Sequence, residues 1–433
     1  MTQPTSDTAP PALVTASAVP KPRRLRWVVL AGVIGLLIAG WFGGREQWAH
    51  FQLRSAEQAS ERYDFPQALS HYEKALKVRP DDIELRLKAA RAARRASLFT
   101  RAEEHYAEYE KRRGMTKSLA LEWAMWSAQQ GNLGDVEQTL QRAVVEGHPA
   151  AVLILESLAQ GYLAVYRLGY AIATIQMLLE RSPDHPDARF WRGGILEGSG
   201  KPIEALEDYK RAVELLPSRT AYRLRYAEAL LRNKQAAEAR PHFIELLRLD
   251  ATDAKVLLGA ARCSHSLALP AEAKTHLDSL LLQHPDNAAG WAELGQLASE
   301  ENNNAEAVRC LRRAAELAPG SYAHGYALSV ALHAQGLTEE ANAMTVRLGQ
   351  LKRDEDRLGE INLALSKAPQ NPALRYEAGM ICLRNKVDDE AFRWFLGALQ
   401  DDAHHRPTHA ALADLYQRKG NADRANHHRE LAK

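Results

Sequence analysis

Arg91, Arg94 and Arg95, with Lys88 a turn before them, form a basic cluster at helical spacing. Such a cluster either faces a partner or belongs to a solvated charged face, and Glu84, Glu103 and Glu104 stand close enough for the second. His404, His405, His409, His427 and His428 form the one group with metal-like composition. His405 and His409 are one helical turn apart. However, Pro407 interrupts the helix between them and no cysteine or carboxylate sits at a ligand offset, so no metal is expected. Cys263, Cys310 and Cys382 are far apart, without a CxxC, and read as small buried residues. Asp81-Asp82 and Asp401-Asp402 fall at element boundaries, where aspartate serves turns and helix starts. Phosphate loops, nucleophile elbows and HExxH are absent. Neither a catalytic residue nor a cofactor is expected, and the chain reads as a non-enzyme.

The elements that must position these residues are set by a repeat. Glu204-Ala205, Glu238-Ala239, Glu272-Ala273, Glu306-Ala307 and Glu340-Ala341 recur every 34 residues. Four places after the alanine comes Tyr209, Phe243, Leu277 or Leu311, and seven places after it Ala212, Leu246, Leu280 or Ala314, which is one face of a helix. Pro217, Pro285 or Pro319 then stops that helix, and a turn with Gly200, the Asn302 to Asn304 run or Gly336 precedes it. Each unit is helix, turn, helix, stop. Trp291, Leu294, Gly295, Ala307, Leu311, Ala314 and Pro319 show the whole pattern, and with it the chain resembles the tetratricopeptide repeat (TPR) family. The resemblance implies an all-α fold, a right-handed superhelical solenoid of TPR helix-turn-helix repeats.

It also implies that first helices line a concave groove. On that reading Lys88, Arg91, Arg94 and Arg95 place a basic patch in the groove, and Leu121, Met125, Leu155, Ala159, Leu163 and Phe190 place an apolar stretch beside it. Packing between adjacent first helices is the alternative use for the apolar set. The Lys-Asn-Asn-Lys-Arg clamp with which some family members hold acidic C-termini is missing, so that kind of ligand is not expected.

Residues Met1 to Pro22 lack large apolar side chains and read as a disordered tail. Lys21, Arg23, Arg24 and Arg26 precede an uncharged run from Trp27 to Gly43, long enough to span a bilayer. Basic residues before the run place the N-terminus in the cytoplasm and the repeats on the extracytoplasmic, periplasmic side. A cleaved secretory signal is the alternative, and it exports the repeats too. Ala31, Gly35, Ala39 and Gly43 recur every four residues and would let two such helices approach closely, giving a possible homo-oligomer. The expected organisation is a tail (1–24), a single-pass transmembrane helix (25–44), a short spacer and a TPR array of about nine repeats (49–355). A helical insertion (356–371) follows, where the period lengthens between Ala341 and Ala391, then C-terminal repeats and a capping helix (372–433).

A net charge of +2 over 433 residues excludes the basic excess of a nucleic-acid binder. The expected function is a membrane-anchored scaffold that binds a peptide or protein partner in its groove. The alternatives are a self-assembling envelope component and a polysaccharide or secretion accessory whose groove presents Trp191, Tyr226 and Tyr326.

Overall fold

The 34-residue period reappears in the backbone as a left-handed residue in the turn inside ten of the repeats. Tyr63, Ser97, Gly131, Gly200, Lys234, Ala268, Asn302, Gly336, Lys386 and Gly420 all have φ between 56° and 85°. Side-chain-bearing residues resist this conformation, so the glycines at 200 and 336 mark where the turn is least strained. The computed structural model describes residues 43–433 apart from 166 and 369, and among them there are twenty-two helices and no strand. Residues up to Pro183 form one compact unit and Asp184–Lys433 a second.

In unit 1 the helices are α1 (43–61), α2 (Phe65–Leu76), α3 (Ile83–Arg95), α4 (Phe99–Arg113), α5 (Lys117–Gln129), α6 (Gly134–Val145), α7 (Ala151–Ala164) and α8 (Leu168–Arg181). Odd-numbered helices are the first of each pair. Residues 45–48, expected to be a spacer, already belong to α1, and Gly43 is exposed on it. Ala31, Gly35, Ala39 and the rest of the run from Trp27 lie outside the described residues. No described helix is long and apolar enough to cross a membrane.

Unit 2 begins with α9 (Pro186–Gly198), α10 (Pro202–Leu215), α11 (Thr220–Arg232), α12 (Ala236–Leu249), α13 (Ala254–Ser266), α14 (Pro270–Gln283), α15 (Ala288–Glu300) and α16 (Asn304–Leu317). It continues through α17 (Tyr322–Ala334), α18 (Thr338–Lys367), α19 (Pro372–Arg384), α20 (Asp388–Asp401), α21 (Arg406–Arg418) and α22 (Ala422–Leu431). The alanine of the Glu-Ala beat is buried in every copy, because the second helix rests its smallest side chain where it comes nearest the first. Gly295 and Gly379 do the same from the first helix, lying under Leu311 and Phe395. Residues 356–367 continue α18, which runs unbroken for 30 residues. Its buried Asp354 accepts hydrogen bonds from Arg384 Nε at 3.1 Å and Asn385 Nδ2 at 2.9 Å, tying α18 to α19.

Asp82 caps α3 by accepting from Leu85 N at 2.9 Å, as its place at a boundary suggested. Pro407 stands in the first turn of α21, where a proline needs no hydrogen-bond donor, so it starts that helix and does not interrupt it.

Candidate functional site

The basic cluster is not a free groove patch. In unit 1, Arg94 is 1% exposed, enclosed by α3, α5 and α7. Its Nε donates to Glu122 Oε2 at 3.2 Å, and its Nη1 donates to Gln129 Oε1 at 3.0 Å and Ser157 Oγ at 2.8 Å. Arg91 Nε donates to the other oxygen of Glu122 at 2.7 Å. Arg95 grips Glu156 at 3.0 and 2.7 Å and lies over the Phe65 ring, while Lys88 reaches Glu57 at 2.8 Å. Burial disfavours the Arg94 charge, yet the field of Glu122, with Tyr106 and Glu156, outweighs it and raises the pKa. Each of the four cations is paired with an acid on another helix; Arg94 is buried, whereas Arg91 and Lys88 stay partly exposed.

The apolar set is absorbed in the same way. Met125 and Leu155 are buried, as is Ala159, and Leu121 and Leu163 are half-buried. Met125 also lies within 3.8 Å of Arg94, so adjacent first helices close over the place where an apolar ligand surface was expected. Phe190, in unit 2, stacks on Tyr222 at 4.6 Å between ring centres. Tyr226 is buried and Trp191 half-buried, whereas Tyr326 is exposed and parallel to Tyr322. Cys263, Cys310 and Cys382 are buried free thiols, and burial pushes the last two up to about 12 and about 11. No metal-ligand group occurs among the described residues. His409 is buried, its Nδ1 2.8 Å from that of His428 and its Nε2 donating to Ala403 O at 3.0 Å.

Unit 2 carries the open groove. A cavity of about 740 Å³ is walled by α11, α13 and α15, with Arg225, Glu228, Lys255, Leu258, Arg262 and Gln296 among its lining. Across it, Arg262 Nε donates to Glu293 Oε2 at 3.1 Å. His265 sets Nδ1 2.8 Å from Glu293 Oε1 and Nε2 2.8 Å from Glu300 Oε2. Burial disfavours a charged ring here, but the hydrogen bonds and charges of Glu293 and Glu300 outweigh it, and the His265 pKa is raised. Arg232 donates to Glu197 at 2.7 Å, and Arg225 pairs with Glu228 at 3.3 Å.

The two ion clusters share one register. Arg91 and Arg94 are the ninth and twelfth residues of α3; Arg262 and His265 are the ninth and twelfth of α13. Glu122 and Gln129 are the sixth and thirteenth of α5; Glu293 and Glu300 are the sixth and thirteenth of α15. Sequence reasoning missed the carboxylates because it asked which face each cation occupied. The signal was present as an acid 28 and 31 residues after a pair of bases, a little less than one repeat.

Two family profiles, both described as tetratricopeptide repeat, match the chain, one at residues 53–115, 157–220, 196–254 and 293–343 and the other at 230–297. A human relative, protein O-mannosyl-transferase TMTC3, is 25% identical over 270 residues, 59% of this chain, which spans only 26% of that relative's length. Among solved structures the chain is similar to YrrB, a TPR protein with an unusual peptide-binding site, at 18% identity and a TM-score of 0.39 over 46% of this chain and 97% of the other. Yeast Tom70 matches at 14% identity and a TM-score of 0.36, over 90% of this chain and 92% of its own. With profiles matching more than half of its residues, the chain belongs to the tetratricopeptide repeat family.

Proposed function

We propose that this protein is a non-enzymatic scaffold that holds an extended polypeptide segment of a partner in the unit 2 groove. The observation that carries this reading is the cavity between α11, α13 and α15, whose walls alternate charged side chains with Leu231 and Leu258. Such a wall suits a polypeptide, which offers apolar side chains and ionic groups in turn. In unit 1 the same register is filled by buried Arg94 and Met125. The run from Trp27 to Gly43 would hold the scaffold to a membrane as a single-pass anchor, with the repeats on the extracytoplasmic side.

A photo-reactive amino acid at Gln296, on the cavity wall, tests the binding site in the native host. The expected product is an adduct with a polypeptide other than this chain, lost when Arg262→Glu reverses a wall charge. Adducts between copies of this chain alone would replace the reading with self-assembly. A periplasm-dependent reporter fused after Lys433 tests the orientation, and an inactive reporter in well-expressed fusions contradicts it.

A further inference from the structure

His265 is held between two carboxylates. Carboxylate oxygens of ionised Glu293 and Glu300 only accept hydrogen bonds, and both ring nitrogens of His265 lie 2.8 Å from one. A neutral imidazole has a single N–H, so its second nitrogen would point a lone pair at an oxygen. Only the imidazolium satisfies both contacts. We propose that His265 is a proton-controlled clamp between α13 and α15 that regulates the unit 2 groove. The clamp is closed when the ring is charged and half-released when it is neutral. Its consequence for a partner rests on the groove reading above; the switch itself does not.

The surroundings decide which contact is given up. Glu293 is shielded and also held by Arg262, whereas the Glu300 side chain is 55% exposed. Loss of the proton therefore leaves the remaining N–H on Glu293 and leaves Glu300, in the last turn of α15, to solvent and to Gln296, whose Nε2 is 3.4 Å from its other oxygen. The other charged groups at the cavity are Arg262 on the same helix, Lys255 near its start, and Arg225, Glu228 and Arg232 on α11. On the far side of α13, Arg240 of α12 and Glu272 of α14 are bonded to each other. Glu197, the partner of Arg232, completes the set. Four cations thus stand against the carboxylates Glu197, Glu228, Glu293 and Glu300, and the proton on His265 decides whether the remainder is one positive charge or none. The raised pKa agrees with this geometry. A raised pKa means the closed form is stabilised at low pH and lost as pH climbs through the folded-state value.

Unit 1 shows what the same register does without a switch. There the twelfth position is Arg94, charged at every working pH, and the thirteenth position of the facing helix is Gln129, which is uncharged. The proton dependence enters unit 2 through two residues, His265 and Glu300.

The test is a nuclear magnetic resonance titration of the full-length chain with ¹³C-labelled histidine, the His265 signal being the one missing in His265→Gln. The expected midpoint lies above the ~6.5 of an ordinary histidine, and it falls in Glu300→Gln and in Glu293→Gln. A midpoint at or below ~6.5, or one that Glu300→Gln leaves in place, overturns the proposal. The titration needs no partner. A chain that titrates as stated but yields no Gln296 adduct keeps the switch and loses the binding reading; adducts with an ordinary midpoint do the reverse.

Discussion

Unit 1 and unit 2 build the same four-cornered contact between first helices and use it differently. In unit 1 the corners are Arg91, Arg94, Glu122 and Gln129, all but Arg91 buried, around a permanent cation, with Ser157 completing the guanidinium's partners. In unit 2 they are Arg262, His265, Glu293 and Glu300, set on the wall of an open cavity around a cation that can lose its charge. A permanent buried cation is costly to desolvate and so demands complete pairing, which closes the helices over it. His265 is itself largely shielded, but its partner Glu300 is half-exposed and water can replace that bond, so the surface around it can stay open. One register therefore serves as cement in one unit and as an adjustable wall in the other.

The largest expected effect comes from breaking the cement. Arg94→Met leaves buried Glu122 with Arg91 as its remaining cationic partner and strips Gln129 and Ser157 of their donor, and urea unfolding should show unit 1 losing about 3 kcal/mol. Adding Glu122→Leu should recover part of that loss, because it removes a buried carboxylate that has lost one of its two cations. Next come the close approaches. A Cβ on Gly161 of α7 meets the backbone carbonyl of Ala128, which is fixed by its helix, whereas one on Gly259 of α13 meets the buried Phe243 ring, a side chain that can shift only by repacking its neighbours. Gly161→Ala should cost about 1–3 kcal/mol in unit 1, and Gly259→Ala less in unit 2, read from the same unfolding curves. Smaller again is His265→Gln, expected to cost under about 1 kcal/mol below the His265 midpoint and nothing above it, because Glu300 is already solvated. An equal loss at both pH values would make His265 an ordinary packing residue. Smallest is Glu300→Gln, whose effect on stability should fall within error and show only in the titration.

The repeat was legible from the spacing of small residues, and it located the turns and the place where the period lengthens. Ala205, Ala239, Ala273, Ala307 and Ala341 are buried because two helices can approach only where a side chain is short. The extra residues between Ala341 and Ala391 extend α18, which has no proline before Lys367 and accommodates Gly349 and Gly359. The candidate site was less legible. The positions of Arg91, Arg94 and Arg95 on a first helix were read correctly. Their fate depended on Glu122 and Glu156, one and two first helices further on, and an amphipathic pattern within a single helix carries no record of them. Met125 and Leu155 misled for the same reason, because the neighbouring first helix supplies the burial that their own second helix does not. The unit 2 groove went unread because Arg262, His265 and Glu293 look like solvated charge until the helices are set side by side.

Native-state hydrogen exchange of the full-length chain, corrected for the intrinsic pH effect and taken below and above the His265 midpoint, tests the contrast between the two units most directly. The account predicts that the last turns of α13 and α15 lose protection as pH rises, that α3 and α5 do not, and that His265→Arg abolishes the difference. Equal pH dependence of α15 in the wild-type chain and in His265→Arg would contradict it.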